Sequence, residues 1–180
     1  MIKDVFVENL TKKKRGFSTI LFKVITMITS IVLAALFFAL TFVIAFPNYV
    51  TIVIFFSLFI IFVGYIITTA LNIEFETCLT NGIFDVDKII NRRKRKRLVT
   101  FRLETVEEIG RYNPAEHENK TYDNKFIACS DIDDEDVWFM TFRHYSLGHV
   151  LVVINANDRM LDGIKQFIPR QLALKVFGSF

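Results

Sequence analysis

The chain has 180 residues, 52% of them hydrophobic, and a mean hydropathy of +0.38. That leaves room for one membrane hairpin and one further domain of ordinary size, and excludes a third. The formal net charge of +3 is unevenly placed: residues 1–16 carry five Lys/Arg against two Asp/Glu, whereas residues 72–180 carry sixteen against seventeen. The second balance argues against a nucleic-acid partner, whose recognition domain needs a strong positive excess to meet phosphate. Cys78 and Cys129 form neither a disulfide framework nor a zinc spacing and read as ordinary buried thiols.

Residues 1–23 open weakly amphipathic, with Val5, Phe6 and Leu10, and carry the block Lys12, Lys13, Lys14 and Arg15. They are expected to form a basic cytoplasmic segment. Residues 24–71 follow as two apolar runs, 24–46 and 50–71, parted by Pro47-Asn48-Tyr49. Each run lacks any charge and exceeds the ~20 residues that cross ~30 Å of hydrocarbon. Helices apolar on every side for that length point to a transmembrane hairpin. The first run is too long for a signal h-region and is expected to stay uncleaved.

Basic residues beside a first membrane helix are retained in the cytoplasm, so Lys12, Lys13, Lys14 and Arg15 act as topology determinants. The expected location is the cell membrane, multi-pass, with the N-terminus and the C-terminal domain both cytoplasmic. Lys23 can place its ammonium at the interface. Ser30, Ala34, Ala35 and Ala39 in the first run, with Ser57 and Gly64 in the second, are small enough to let two backbones approach, within the hairpin or in a homo-oligomer. No Asp, Glu, Arg or His lies in either run, which argues against a stand-alone transporter.

From residue 72 the pattern becomes alternating. Ile73, Phe75, Thr77 and Leu79 share one face of a predicted strand, and Asn81-Gly82 predicts a tight hairpin into Ile83–Ile90. Further strands are predicted at Lys96–Leu103, irregularly at Glu104–Tyr112, and at Lys125–Ser130, Val137–Arg143 and Gly148–Asn155. Residues 113–123 read as a loop. Asn157 is placed to cap a helix whose apolar stripe is Leu161, Ile164, Phe167 and Ile168, stopped by Pro169. A short helical piece is expected over Gln171–Val176.

Three stretches carry a family resemblance: Glu76 to Gly82; Arg92 to Arg97 followed by Leu98-Val99-Thr100-Phe101; and Leu103 to Ile109. In this order they resemble bacterial membrane-anchored pleckstrin-homology-like (PH-like) proteins. The resemblance implies an α+β membrane protein: a two-helix transmembrane hairpin, then a PH-like antiparallel β-sheet or barrel over residues 72–180 with a C-terminal helix. Fold alone does not supply function. The expected role is a non-enzymatic platform for a protein partner or an anionic membrane surface. The alternative is a small accessory subunit of a transport or export complex.

The sharpest candidate site is Arg92, Arg93, Lys94, Arg95, Lys96 and Arg97. Six consecutive cations cannot bury, and near a membrane each is worth ~1 kcal/mol at an anionic surface. The same run also suits a solvated hairpin that enforces topology, or a contact for RNA or an acidic protein. The acidic stretch Asp131–Asp136 lacks the Gly and Glu of a calcium loop, since Asp136 and Phe142 stand at those positions. It reads as a solvated hairpin turn, with pairing to the basic run or weak cation binding as alternatives. His117, His144 and His149 have no ligand spacing, and no phosphate loop, H-E-x-x-H or G-x-S-x-G occurs. No catalytic residue, metal or cofactor is expected.

Overall fold

A computed structural model describes residues 4–43 and 50–178. The predicted connection Pro47-Asn48-Tyr49 lies outside the described residues. The chain divides into two compact units, one of residues 15–72 and one of residues 1–14 with 73–180.

The first unit pairs α1 (Phe17–Val43) with α2 (Val50–Ala70). Their seam is built from small side chains: Ser30, Ala34, Val53, Ser57 and Gly64 are buried, while Ala35 and Ala39 face outward. A Cβ on Gly64 would fall 2.5 Å from Ser30 Oγ, so glycine is what permits this approach. The seam hydroxyls stay satisfied within their own helices, Ser30 Oγ donating to Met27 O at 2.9 Å and Ser57 Oγ to Val53 O at 2.8 Å. The helix α1 starts at Phe17, earlier than the predicted Val24. The intervening apolar residues continue it, and Lys23 inside it donates through Nζ to Asn72 Oδ1 at 2.6 Å, alongside Arg15 Nη2 at 2.9 Å.

The second unit is a sandwich of two four-stranded sheets. One has the order β1 (Phe6–Lys12), β2 (Ile73–Thr80), β3 (Ile83–Ile90), β4 (Lys94–Arg102), all antiparallel. The other, of β5 (Val106–Arg111), β6 (Asn124–Ala128), β7 (Val137–His144) and β8 (Gly148–Asn155), has the order β5-β7-β8-β6. Asn81 and Gly82, at φ 46° and 86°, make the predicted tight turn. Leu79, Phe84, Val86 and Phe101 from the first sheet meet Met140, Phe142, Val150 and Val152 from the second in one core. Phe101 and Phe142 stack across the sheets with ring centroids 3.9 Å apart.

The helices α3 (Pro114–Glu118), α4 (Asp158–Lys165) and α5 (Arg170–Phe177) complete the unit. Asn157 Oδ1 accepts from Met160 N at 2.9 Å, the predicted cap, and α4 buries Met160 and Ile164 in the core. Trp138 stacks on Phe177 of α5 at 5.7 Å. The expected α+β class, two long apolar helices with a PH-like β domain closed by a C-terminal helix, is the observed one; the expected antiparallel sheet or barrel is a sandwich whose second sheet includes the parallel pair β6 and β8.

Three expectations are corrected. Residues 1–23 are not a separate segment, because Phe6–Lys12 pairs along the whole of β2, from Phe6↔Thr80 to Lys12↔Glu74. The signal was weak because β1 is an edge strand in which Val7 alone is buried. Residues 131–136 do not close a hairpin: β6 pairs in parallel with β8, which lies between β6 and β7, so this stretch crosses over. The predicted loop 113–123 contains α3, opened by Asn113 Oδ1 accepting from Ala115 N at 3.2 Å.

A chain that begins at Ile73 leaves β2 as an unpaired edge and is expected to aggregate. Joining residues 4–14 to residues 73–178 through a short Gly/Ser linker should restore a monodisperse, cooperatively melting domain, since Lys13 N already bonds Ile73 O at 3.1 Å. Size-exclusion chromatography and thermal melts of the two chains check this.

Candidate functional site

The basic run begins in the β3–β4 turn, where Asn91 and Arg92 adopt φ of 50° and 55°, and continues along β4. Its arrangement depends on one extra residue. Strands β3 and β4 pair in regular register from Ile83↔Arg102 to Val86↔Val99, then shift so that Asp87 faces Arg97 and Leu98 is left over. Strict alternation would put Arg97 on the same face as Val99 and Phe101, in the core. The bulge instead turns Arg97 and Arg95 to the outer face.

Glu76 and Asp87 wait there as direct cross-strand neighbours, only 8% and 4% exposed. Two buried carboxylates side by side repel and demand cations. Arg97 Nε reaches Asp87 Oδ1 at 2.5 Å and its Nη1 reaches Asp85 Oδ1 at 2.8 Å. Arg95 Nη2 pairs with Glu76 Oε2, and Arg92 Nε lies 3.3 Å from Glu74 Oε1. Thr100 Oγ1 donates to Asp85 Oδ1 at 2.6 Å and completes the network. Hydrogen bonding to Asp87, with further attraction from Asp85, holds the Arg97 guanidinium above its ordinary range.

The predicted cations therefore divide. Arg92, Arg95 and Arg97 are committed to carboxylates of their own sheet. Arg93, Lys94 and Lys96 have no carboxylate within ion-pair distance among the described residues, and neither has Lys88, which stands directly opposite Lys96. Like charges across a ladder are destabilising, so the fold gains nothing from this pair.

The register fixes where these cations lie. Ile90, next to the turn, pairs with Ile73, and Lys12 pairs with Glu74. Both covalent links to the helical unit, after Lys14 and before Ile73, thus leave the end of the sheet that carries the basic turn. Lys12 lies in β1. Lys14 Nζ pairs with Asp134, which Ser130 Oγ also engages. The hydrogen bond from Lys14 first, and then that from Ser130, hold the Asp134 carboxyl below its ordinary range. The acidic stretch therefore meets the N-terminal block, not Arg92–Arg97. Among the described residues no group of three His, Cys, Asp or Glu could hold a metal ion.

His117 is the buried residue of α3, its Nδ1 2.7 Å from Tyr122 Oη and its ring 4.2 Å from that of Phe139, while Nε2 has no partner among the described residues. It serves packing. Cys129 is buried, and its thiol is pushed up to about 11. Cys78, expected to be buried, lies part-exposed on the outer face of the first sheet. His149 Nε2 sits 3.8 Å from Glu107.

A family model described as bacterial PH-like domain (DUF6106) matches residues 3–174. The chain belongs to that family. No curated protein and no solved structure matches it. The match begins ahead of β1 and runs through the helix pair, so both halves of this PH-like domain, and the helices between them, fall within one family unit.

Two outcomes follow for this PH-like protein. Arg97→Gln removes the chief partner of a buried aspartate and should cost about 1–3 kcal/mol, whereas Lys94→Gln should stay within about 0.5 kcal/mol of the parent, both read by denaturant titration. Burial, and then Lys120, hold His117 below its ordinary 6.5, against the opposing pull of Glu108 and Glu116. The unfolded chain therefore takes up the proton first, and stability should fall as pH drops through and below about 6.5. The fall should be shallower in His117→Phe, measured as melting temperature between neutral and mildly acidic pH.

Proposed function

We propose that the protein is a non-enzymatic membrane platform: the helix pair crosses the cell membrane, and the PH-like domain is held at the cytoplasmic surface with its basic end against anionic headgroups. The observation that carries this reading is the set Lys88, Arg93, Lys94 and Lys96, without carboxylate partners among the described residues, at the end of the sheet from which both links depart. A side chain a few residues from a membrane helix works within a Debye length of the headgroups, where each Lys or Arg contributes ~1 kcal/mol. Lys12, Lys13, Lys14 and Arg15 retain the N-terminus inside, and two crossings return the domain to the same side.

The two helices are long and apolar enough to span, and only 11% and 17% of their most apolar stretches are buried within the chain. Surfaces of this kind require lipid or other helices around them. The same exposure favours a second reading, an accessory subunit whose helix pair packs against a larger membrane partner. Membership of a PH-like family supports a binding role over catalysis.

The test uses the full chain in nanodiscs with an environment-sensitive dye on Lys94→Cys, in a Cys78→Ser background. Quenching by headgroup-labelled lipid is compared with and without phosphatidylglycerol. The reading expects quenching in anionic discs that weakens with salt and is lost when Lys88, Arg93 and Lys96 become Gln, but not when Arg92 does. Equal quenching in neutral discs, or none in either, would sink it.

A further inference from the structure

The opposite end of the first sheet carries a second feature. Ile83 and Arg102 pair there, seven residues of strand from the basic turn, on the order of 20 Å away. A cleft of about 430 Å³ opens at this end, between the last residues of β4 and the β7–β8 turn. That volume falls in the range of small-molecule sites, about 300–1,000 Å³.

Its lining combines two chemistries. Ile83, 46% exposed, supplies its open apolar surface, while Phe101 and Phe142 beneath are buried in the core. Arg102, Arg143 and His144 line it as well, and among the described residues no carboxylate does. Tyr145, at the mouth, is 96% exposed with its ring 4.4 Å from that of His144. An aromatic ring so uncovered contributes nothing to the core.

The two arginines are held only loosely. Arg102 lies 3.4 Å from Glu104 and Arg143 3.3 Å from Glu107, and the side chains in both pairs are largely exposed. Exposed pairs of this kind are worth about 0–1 kcal/mol, so an anion entering between the arginines displaces them at little cost. Ser146 N donates to His144 Nδ1 at 3.3 Å, which leaves Nε2 as the ring's donor.

We propose that this cleft binds a small anion, a carboxylate or a phosphate, attached to a flat apolar group. The anion sits between Arg102 and Arg143 with His144 as a further donor. The apolar group lies against Ile83 and is covered by Tyr145. Charge-assisted bonds from guanidinium groups fix the anionic end, and aromatic contact fixes the other. The site is separate from the proposed lipid contact and does not depend on it.

The test is fluorine NMR on the full chain in zwitterionic nanodiscs, with 4-(trifluoromethyl)benzoate as probe and empty nanodiscs as background. The proposal expects the benzoate line to broaden on the protein. Trifluoroacetate, which lacks the ring, and the neutral 4-(trifluoromethyl)benzamide should broaden much less. The Arg102→Gln/Arg143→Gln variant, altered only at exposed side chains, should bind benzoate about tenfold more weakly, while Arg93→Gln should bind as the parent does. Displacement of the probe at lower concentration by phenyl phosphate than by benzoate assigns a phosphate ligand, and the reverse assigns a carboxylate. Broadening no greater than with empty discs, equal binding of the amide, or undiminished binding by the double variant would overturn the proposal.

Discussion

The pairing of β1 with β2 is the constraint on which the rest depends. Residues on either side of the helix pair belong to one antiparallel ladder, from Phe6↔Thr80 to Lys12↔Glu74. The helices are therefore an insertion between two adjacent strands, not an anchor placed ahead of a finished domain. A ladder of this length forces the two links to leave side by side. The chain passes from Lys14 into the helical unit and re-enters at Ile73, whose carbonyl accepts from Lys13 N. Domain and helices cannot be parted by a single cut without opening a sheet edge.

A second constraint acts on the outer face of the same sheet. Glu76 and Asp87 are nearly buried and directly opposed, an arrangement that isolated strands would reject. The bulge at Leu98 resolves it by turning Arg95 and Arg97 toward them. A run of six cations is thereby divided by geometry. The arginines on the acidic face are structural, and the remaining cations have no carboxylate partner among the described residues. A count of charges treats all six alike; the register distinguishes them.

Much of the fold was legible because it rests on local signals. The apolar runs, the alternation in Ile73–Leu79, the Asn81-Gly82 turn and the Asn157 cap each depend on residues a few positions apart. The first strand was not legible, because its partner lies more than sixty residues along the chain and its burial pattern contains one core residue. The order β5-β7-β8-β6 was hidden for a related reason. Nothing in Lys125–Ser130 says whether it pairs with the strand that follows or the one after that. The basic run was visible as composition, but its division was not. It depends on a single register shift, and Leu98 reads as one more apolar residue in an alternating strand.

The two ends of the first sheet differ in a way that constrains how such a domain can work. At one end lie both covalent links and cations with no carboxylate partner among the described residues. At the other lies a cleft lined by Ile83, Tyr145 and two weakly paired arginines, reached along the same strands β3 and β4. A surface held against a bilayer is shielded from other ligands. If the basic end is committed to headgroups, any soluble ligand must be met at the distal end. The Arg97, Asp87 and Asp85 network lies on the strands that join the two. The ladder between them is interrupted once, where Leu98 is left over, so the pairs beside the cleft keep regular register and those beside the basic turn are offset from them.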